Sequence, residues 1–134
     1  MHLQIVSAER SLVDETIDEV EIPGADGYFG VLPGHTPLLA LLGAGELWYR
    51  QGDVKHYLMM AFGFAEVQPD RVTILADIAE RAGDIDLARA EAAKRRAEQR
   101  LHAPAVDMDA ERARIALLKS LVRLQVASRV KIRS

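Results

Sequence analysis

Val72-Thr73-Ile74-Leu75-Ala76-Asp77-Ile78-Ala79-Glu80-Arg81-Ala82-Gly83-Asp84-Ile85-Asp86-Leu87-Ala88-Arg89-Ala90 is the stretch in which the hydrophobic period of this chain changes. Before Gly83 the pattern has a period of two, with Val72 and Ile74 on one side. The same alternation recurs upstream in Leu3 and Ile5, in Val20 and Ile22 against Glu19 and Glu21, and in Leu47 and Tyr49 against Glu46 and Arg50. Val54, His56 and Leu58 oppose Lys55, Tyr57 and Met59, and Phe62 and Phe64 are expected to continue that pattern. Turn-forming pairs separate the runs: Pro23-Gly24, Asp26-Gly27, Pro33-Gly34, Gly52-Asp53 and Pro69-Asp70. Short strands so spaced predict an antiparallel sandwich or barrel over residues 1–83.

After Gly83 the spacing is helical. Asp84 and Asp86 suit an N-cap, and Ala90, Ala93, Ala97 and Leu101 follow on one face. That stripe is mostly alanine, so a second helix can come close. Pro104 should end the first helix near His102. A short break to Val106 then predicts an antiparallel partner capped by Asp107, with Asp109 and Glu111 favouring its positive end. The second helix has two apolar lines: Ala113, Leu117, Leu121 and Leu124, then Ile115, Leu118, Val122 and Val126. One narrow alanine face cannot cover both. The second line either packs on the β domain or docks on another protein. The fold class is therefore α+β, an antiparallel β-sandwich or barrel over 1–83 followed by a two-helix hairpin over 84–134.

Charge divides at the same place. Residues 1–85 hold 5 basic against 14 acidic side chains, whereas residues 86–134 hold 12 against 6. The total of -3 hides an acidic front and a basic tail. Arg112 to Ser134 contains seven basic residues and no acidic one. The two parts are expected to face different partners.

The chain of 134 residues has no cysteine, which excludes disulfides and thiolate metal sites. No apolar run reaches the ~18 residues of a membrane span. Met1 to Gln4 lacks the basic and apolar regions of a secretory signal, so the expectation is a soluble, cytoplasmic-side protein with no direct membrane insertion. The tail lacks the aromatics that stack on bases, which argues against nucleic acid. No catalytic constellation is present. His2, His35, His56 and His102 are scattered, and no P-loop, nucleophile elbow or converging carboxylate pair occurs.

One cluster could bind an anion. Asp86 and Arg89 share a face at a helix start, where free N–H groups gather, and Lys119 and Arg123 share a face four residues apart. Two readings stand from spacing: a site for a small anionic ligand, or a solvated charged surface.

Several segments in order resemble the epsilon subunit family of F-type ATP synthase. They are Gly30-Val31-Leu32-Pro33-Gly34-His35-Thr36-Pro37-Leu38, Phe62-Gly63-Phe64-Ala65-Glu66-Val67, Val72 to Asp77, and Ala79-Glu80-Arg81 leading into Asp84 to Ala90. The resemblance covers essentially the whole chain. It implies a sandwich of about ten strands with a mobile hairpin, and no active site. It implies a peripheral, non-catalytic piece of the rotor's central stalk at the cytoplasmic face of a bacterial membrane. This piece would couple rotation to ATP synthesis by a proton-translocating enzyme and inhibit ATP hydrolysis through the hairpin.

The partners implied are the gamma subunit, the c-ring and acidic segments of the catalytic beta subunits. Partner contacts fall at Tyr28 and His35 on the β domain and at Arg112, Arg114, Lys119 and Arg123 on the second helix. The resemblance implies no required cofactor, but it does imply a regulatory ATP site at Glu80, Ile85, Asp86, Arg89, Ala90, Lys119 and Arg123. Lys119 departs from the arginine expected there, and lysine lacks the bidentate fork. Tyr28 stands where the family often has an acid, and Phe62-Gly63 where it favours paired glycines. The alternative function is a free ATP-sensing module in which ATP stabilises the folded-down hairpin.

Overall fold

The computed structural model describes residues 1–103 and 109–133. The chain divides into two compact units, Met1–Arg81 and Ala82–Ser134.

The first unit contains eight strands: β1 His2–Ser7, β2 Ser11–Thr16, β3 Glu19–Gly24, β4 Gly27–Val31, β5 Leu38–Leu41, β6 Ala44–Gln51, β7 Val54–Val67 and β8 Arg71–Arg81. They form one hydrogen-bonded sheet in the order β2-β1-β8-β7-β6-β3-β4, with β5 also paired to β7. Only the β1–β8 pairing is parallel among these ladders. One buried cluster draws Leu3 and Ile5 from β1, Val20 and Ile22 from β3, Leu47 and Tyr49 from β6, and Val72 and Ile74 from β8. The sheet thus wraps a single apolar interior, as a sandwich does.

Eight strands, where the resemblance implies about ten, reflect the length of two of them. β7 runs for 14 residues and β8 for 11. β7 pairs with β6 through Val54–Ala61 and with β5 through Phe64–Val67. Between those halves Phe62 and Gly63 have φ of 63° and 116°.

This kink reverses which side chains face inward. Leu58 and Met60 enter the core before it, and Ala65 and Val67 after it. β8 switches likewise, from Val72, Ile74 and Ala76 to Ala79. The register does not slip across the kink, because Ala61 faces Ile78 and Gly63 faces Ala76. Adjacent strands therefore bend together. The expectation that Phe62 and Phe64 continue the alternation of Val54, His56 and Leu58 is overturned here: Leu58 is buried, whereas Phe64 is half-exposed and on the outer face. A local reading of parity cannot register a backbone turn of this kind.

Gly63 is required at the kink. A Cβ there would overlap the Leu75 carbonyl oxygen. Met59 faces away from the Leu58 side, yet it is fully buried, so β7 is covered on both faces at that point.

The second unit begins with a 3-10 turn, Ala82–Asp84, followed by α1 Leu87–His102 and α2 Ala110–Arg133. Asp86 is the N-cap of α1, and its Oδ1 accepts the Arg89 N–H at 3.0 Å. Asp109 caps α2, accepting the Arg112 N–H at 3.1 Å. The expected cap, Asp107, and the expected stop, Pro104, lie outside the described residues.

α2 packs against α1 and also against the 3-10 turn that precedes α1, so the pair is antiparallel. Ala90, Ala97, Ala113 and Ser120 are buried in this unit. The Ser120 hydroxyl donates to carbonyls of its own helix, so its burial leaves no unmet donor. The two apolar lines of α2 are not buried as drawn from the sequence. Val122 and Val126 are buried, but Leu118 and Leu121 are exposed.

Candidate functional site

The residues proposed to bind ATP are divided between the units. Ile85, Asp86, Arg89 and Ala90 lie at the start of α1, and Lys119 and Arg123 on α2. Glu80 belongs to β8 in the first unit. It lies in a cross-strand row with Met59 and Glu46.

Packing of α2 on the 3-10 turn brings the approach to Asp86 beside the helix that carries Lys119 and Arg123. Asp86 already has a structural task, because one carboxylate oxygen holds the Arg89 N–H. Arg89 is exposed, whereas Ala90 is buried and serves packing. Lys119 and Arg123 are both half-buried and each has interactions within the protein.

The expected partner contacts have distinct local settings. Arg112 is exposed. Arg114 is exposed but pairs with Glu111 at 2.8 Å, which offsets part of its charge. His35 is half-buried in the loop between β4 and β5. Its Nδ1 donates to the Thr36 carbonyl at 2.6 Å, and its backbone N–H donates to Leu32 O at 3.2 Å. Gly34 N–H donates to Pro69 O at 2.7 Å, tying this loop to the β7–β8 turn.

Tyr28 is 55% exposed, yet its hydroxyl accepts the Glu46 backbone N–H at 3.1 Å. Pro23 extends the β3–β6 register to a position opposite Glu46, but the ladder ends at Glu21 and Trp48. The tyrosine hydroxyl meets the N–H left over. Gly45 gives it room: a Cβ there would overlap the hydroxyl and come 2.8 Å from Pro23 Cβ. Tyr28 is thus a brace across the end of the sheet as well as a surface residue.

Two surfaces escaped the sequence reading. The first crosses the sandwich. Leu41, Phe64 and Leu75 face one another on β5, β7 and β8, and Val6 continues the row on β1. The first three are 60%, 50% and 53% exposed. At ordinary strand spacing the row is about 14 Å long. The next row holds Leu39, Glu66, Thr73, Gln4 and Asp14, and the exposed Asp77 lies two residues beyond Leu75. This is an apolar strip with an acidic border. The unbroken run Leu38-Leu39-Ala40-Leu41-Leu42 was its only trace in the sequence, because a single strand face cannot bury all five.

The second surface lies on α1. Arg89, Arg96 and Arg100 are exposed and recur at intervals of seven and four, forming a cationic line. Of this line only Arg89 was singled out from the sequence. Among the described residues no group of three or more His, Asp or Glu could hold a metal ion, and no described helix is long and apolar enough to cross a membrane.

Comparison with known proteins adds the following. Residues 1–82 match the family model described as ATP synthase, Delta/Epsilon chain, beta-sandwich domain. Residues 84–128 match the one described as ATP synthase, Delta/Epsilon chain, long alpha-helix domain. The ATP synthase epsilon chain of Nitratidesulfovibrio vulgaris (strain DP4) is 45% identical over 126 residues, covering 94% of each protein. That of Herpetosiphon aurantiacus is 48% identical over 127 residues, 95% of this chain and 93% of the relative. Among solved structures, a chain of the Euglena gracilis mitochondrial ATP synthase, in a complex described as OSCP/F1/c-ring, superposes with a TM-score of 0.81 at 24% identity, over 94% of this chain and 79% of that one. At that identity the superposition speaks for the fold.

Proposed function

We propose, from the premise that this chain belongs to the ATP synthase delta/epsilon chain family, that it works as a non-catalytic subunit of the rotor's central stalk in a proton-translocating F-type ATP synthase. It sits peripherally at the cytoplasmic face of the membrane. The sandwich anchors it to the gamma subunit and the c-ring, and the hairpin inhibits ATP hydrolysis by reaching acidic segments of the catalytic beta subunits.

The observation that carries this reading is the pairing of two separate units with opposite surfaces. The first is an acidic sandwich with an exposed apolar strip. The second is a compact helical pair with cations on both helices. An apolar centre with an acidic rim suits a protein surface with basic neighbours, and it is repelled by anionic lipid. The strip Leu41–Phe64–Leu75 is therefore assigned to gamma. The braced Tyr28 and the tied-down His35 loop present a firm surface to the c-ring. Arg112, Arg114, Lys119 and Arg123, with the line Arg89, Arg96 and Arg100, give the hairpin the charge to be drawn to an acidic partner.

The test is reconstitution of the catalytic head with the full chain or with a chain ending at Gly83. The truncated chain should still assemble and should release ATP hydrolysis from inhibition. Equal hydrolysis in the two preparations would exclude inhibition through the hairpin.

A second reading is favoured by the capped stretch Ile85–Ala90 lying beside α2: ATP binds there and selects the compact hairpin. Calorimetry with millimolar ATP tests it, with Arg89→Ala and Asp86→Asn as controls. Asparagine keeps the cap and removes the charge. Heat from the wild-type chain alone supports the site, and identical traces from all three proteins remove it.

A further inference from the structure

The two helices of the second unit hold their cations differently. On α2 the Arg114 guanidinium pairs with Glu111 at 2.8 Å, and Lys119, Arg123 and Arg129 are half-buried with interactions inside the protein. Arg112 is exposed, but Asp109 and Glu111 lie within one turn of it. On α1 the reverse holds. Arg89, Arg96 and Arg100 are exposed, and among the described residues no ion pair or hydrogen bond engages their guanidinium groups. The helical period sets these three on one side of α1 over about 17 Å, and it sets Glu91 and Glu98 on the opposite side.

A paired cation is felt only weakly at a distance, because its partner cancels most of its field. The acid-free basic run of the sequence, Arg112 to Ser134, lies on α2, yet the unopposed positive field of this hairpin comes from α1. An acidic polypeptide suits this line better than a lipid surface or a nucleic acid. The apolar face of α1 is mostly alanine, with Ala90 and Ala97 already buried, so little is left to insert into a bilayer. The helix also carries no aromatic residue to stack on bases.

We infer that Arg96 and Arg100, together with Arg89, form the encounter surface of the hairpin: they meet an acidic polypeptide segment of the catalytic head first and set the rate of approach. The cations of α2 join afterwards, exchanging their internal partners for those of the head. The inference rests on the rotor reading and orders the contacts within it. Exposed charges act on the rate of association, whereas charges seated in a finished interface act on dissociation.

The experiment mixes the full chain with the catalytic head and follows association, dissociation and the onset of inhibition over a range of salt. Arg96→Gln/Arg100→Gln should associate roughly fivefold more slowly at low salt, approach the wild type as salt rises, and dissociate at the wild-type rate. Arg96→Lys/Arg100→Lys keeps the charge and should associate as the wild type does. A wild-type association rate in the glutamine variant would overturn the inference. So would faster dissociation with unchanged association, because the two arginines would then belong to the seated contact. A lysine variant as slow as the glutamine variant would also overturn it, since charge alone is sufficient for steering. Vesicles containing phosphatidylserine provide a second arm: binding lost in the glutamine variant, with association to the head unchanged, would assign the line to lipid instead. No inhibition by the wild-type chain would overturn the rotor reading, and this inference with it.

Discussion

The sandwich and the hairpin are built on different scales of contact. The sandwich buries Leu3, Ile5, Leu47, Tyr49, Leu58, Met60 and Ile74 almost completely. In the hairpin Ala90, Ala97, Ala113 and Ser120 are buried, with Val122 and Val126 the largest buried side chains among the described residues. A buried methylene is worth roughly 0.8 kcal/mol, so each alanine contact contributes a fraction of what a leucine does. The lesson concerns function. A part that must hold its place in a rotor has a dense interior of large side chains. A part proposed to change its arrangement has small contacts and a charged exterior.

The largest effect that would sharpen this contrast is expected at the kink of β7. Gly63→Ala places a Cβ against the Leu75 carbonyl in backbone with φ of 116°, and β6, β7 and β8 all pass through that region. The loss should exceed about 3 kcal/mol and remove cooperative melting of the sandwich, read by calorimetry. A well-folded variant would mean that the bend can relax, and the sandwich would no longer be the rigid member of the pair.

An intermediate effect is expected at the start of α1. Asp86→Ala removes the cap on Arg89 N–H and should cost about 1 kcal/mol, confined to the hairpin. Helical circular dichroism should fall while the melting of the sandwich stays in place. A matching loss in both signals would show that the two units unfold as one.

The smallest effect is expected with alkali. Burial pushes the Tyr49 phenol above its ordinary value of 10.0, with Glu15 adding to the rise and Arg81 opposing it. The folded protein therefore favours the neutral phenol. Its contribution to stability is fully present below pH 10 and is lost as the pH rises through the raised folded value, because the unfolded chain ionises first. Denaturant titrations should show the sandwich weakening above pH 10, and Tyr49→Phe should flatten that slope. An unchanged slope in the phenylalanine variant would place the alkaline sensitivity elsewhere.

Much of this protein was written locally. Period-two runs specified β1, β3, β6 and β8, because Leu3, Ile5, Val20, Ile22, Val72 and Ile74 have one buried face each. The first helix needed only a cap and a regular alanine spacing. The charge division was fully contained in composition. What the sequence could not specify depended on strands meeting. Phe64 faces outward only because the backbone turns over at Phe62-Gly63 in step with both neighbouring strands. The apolar strip exists only because residues from distant parts of the chain come into register. Tyr28 braces Glu46 because the β3–β6 ladder ends before Glu46 and the Pro23 carbonyl is taken by the Gly43 N–H. Periodicity is a property of a few consecutive residues. Exposure, strain and shared surfaces belong to the assembled sheet, and for that reason only the tertiary structure could decide them.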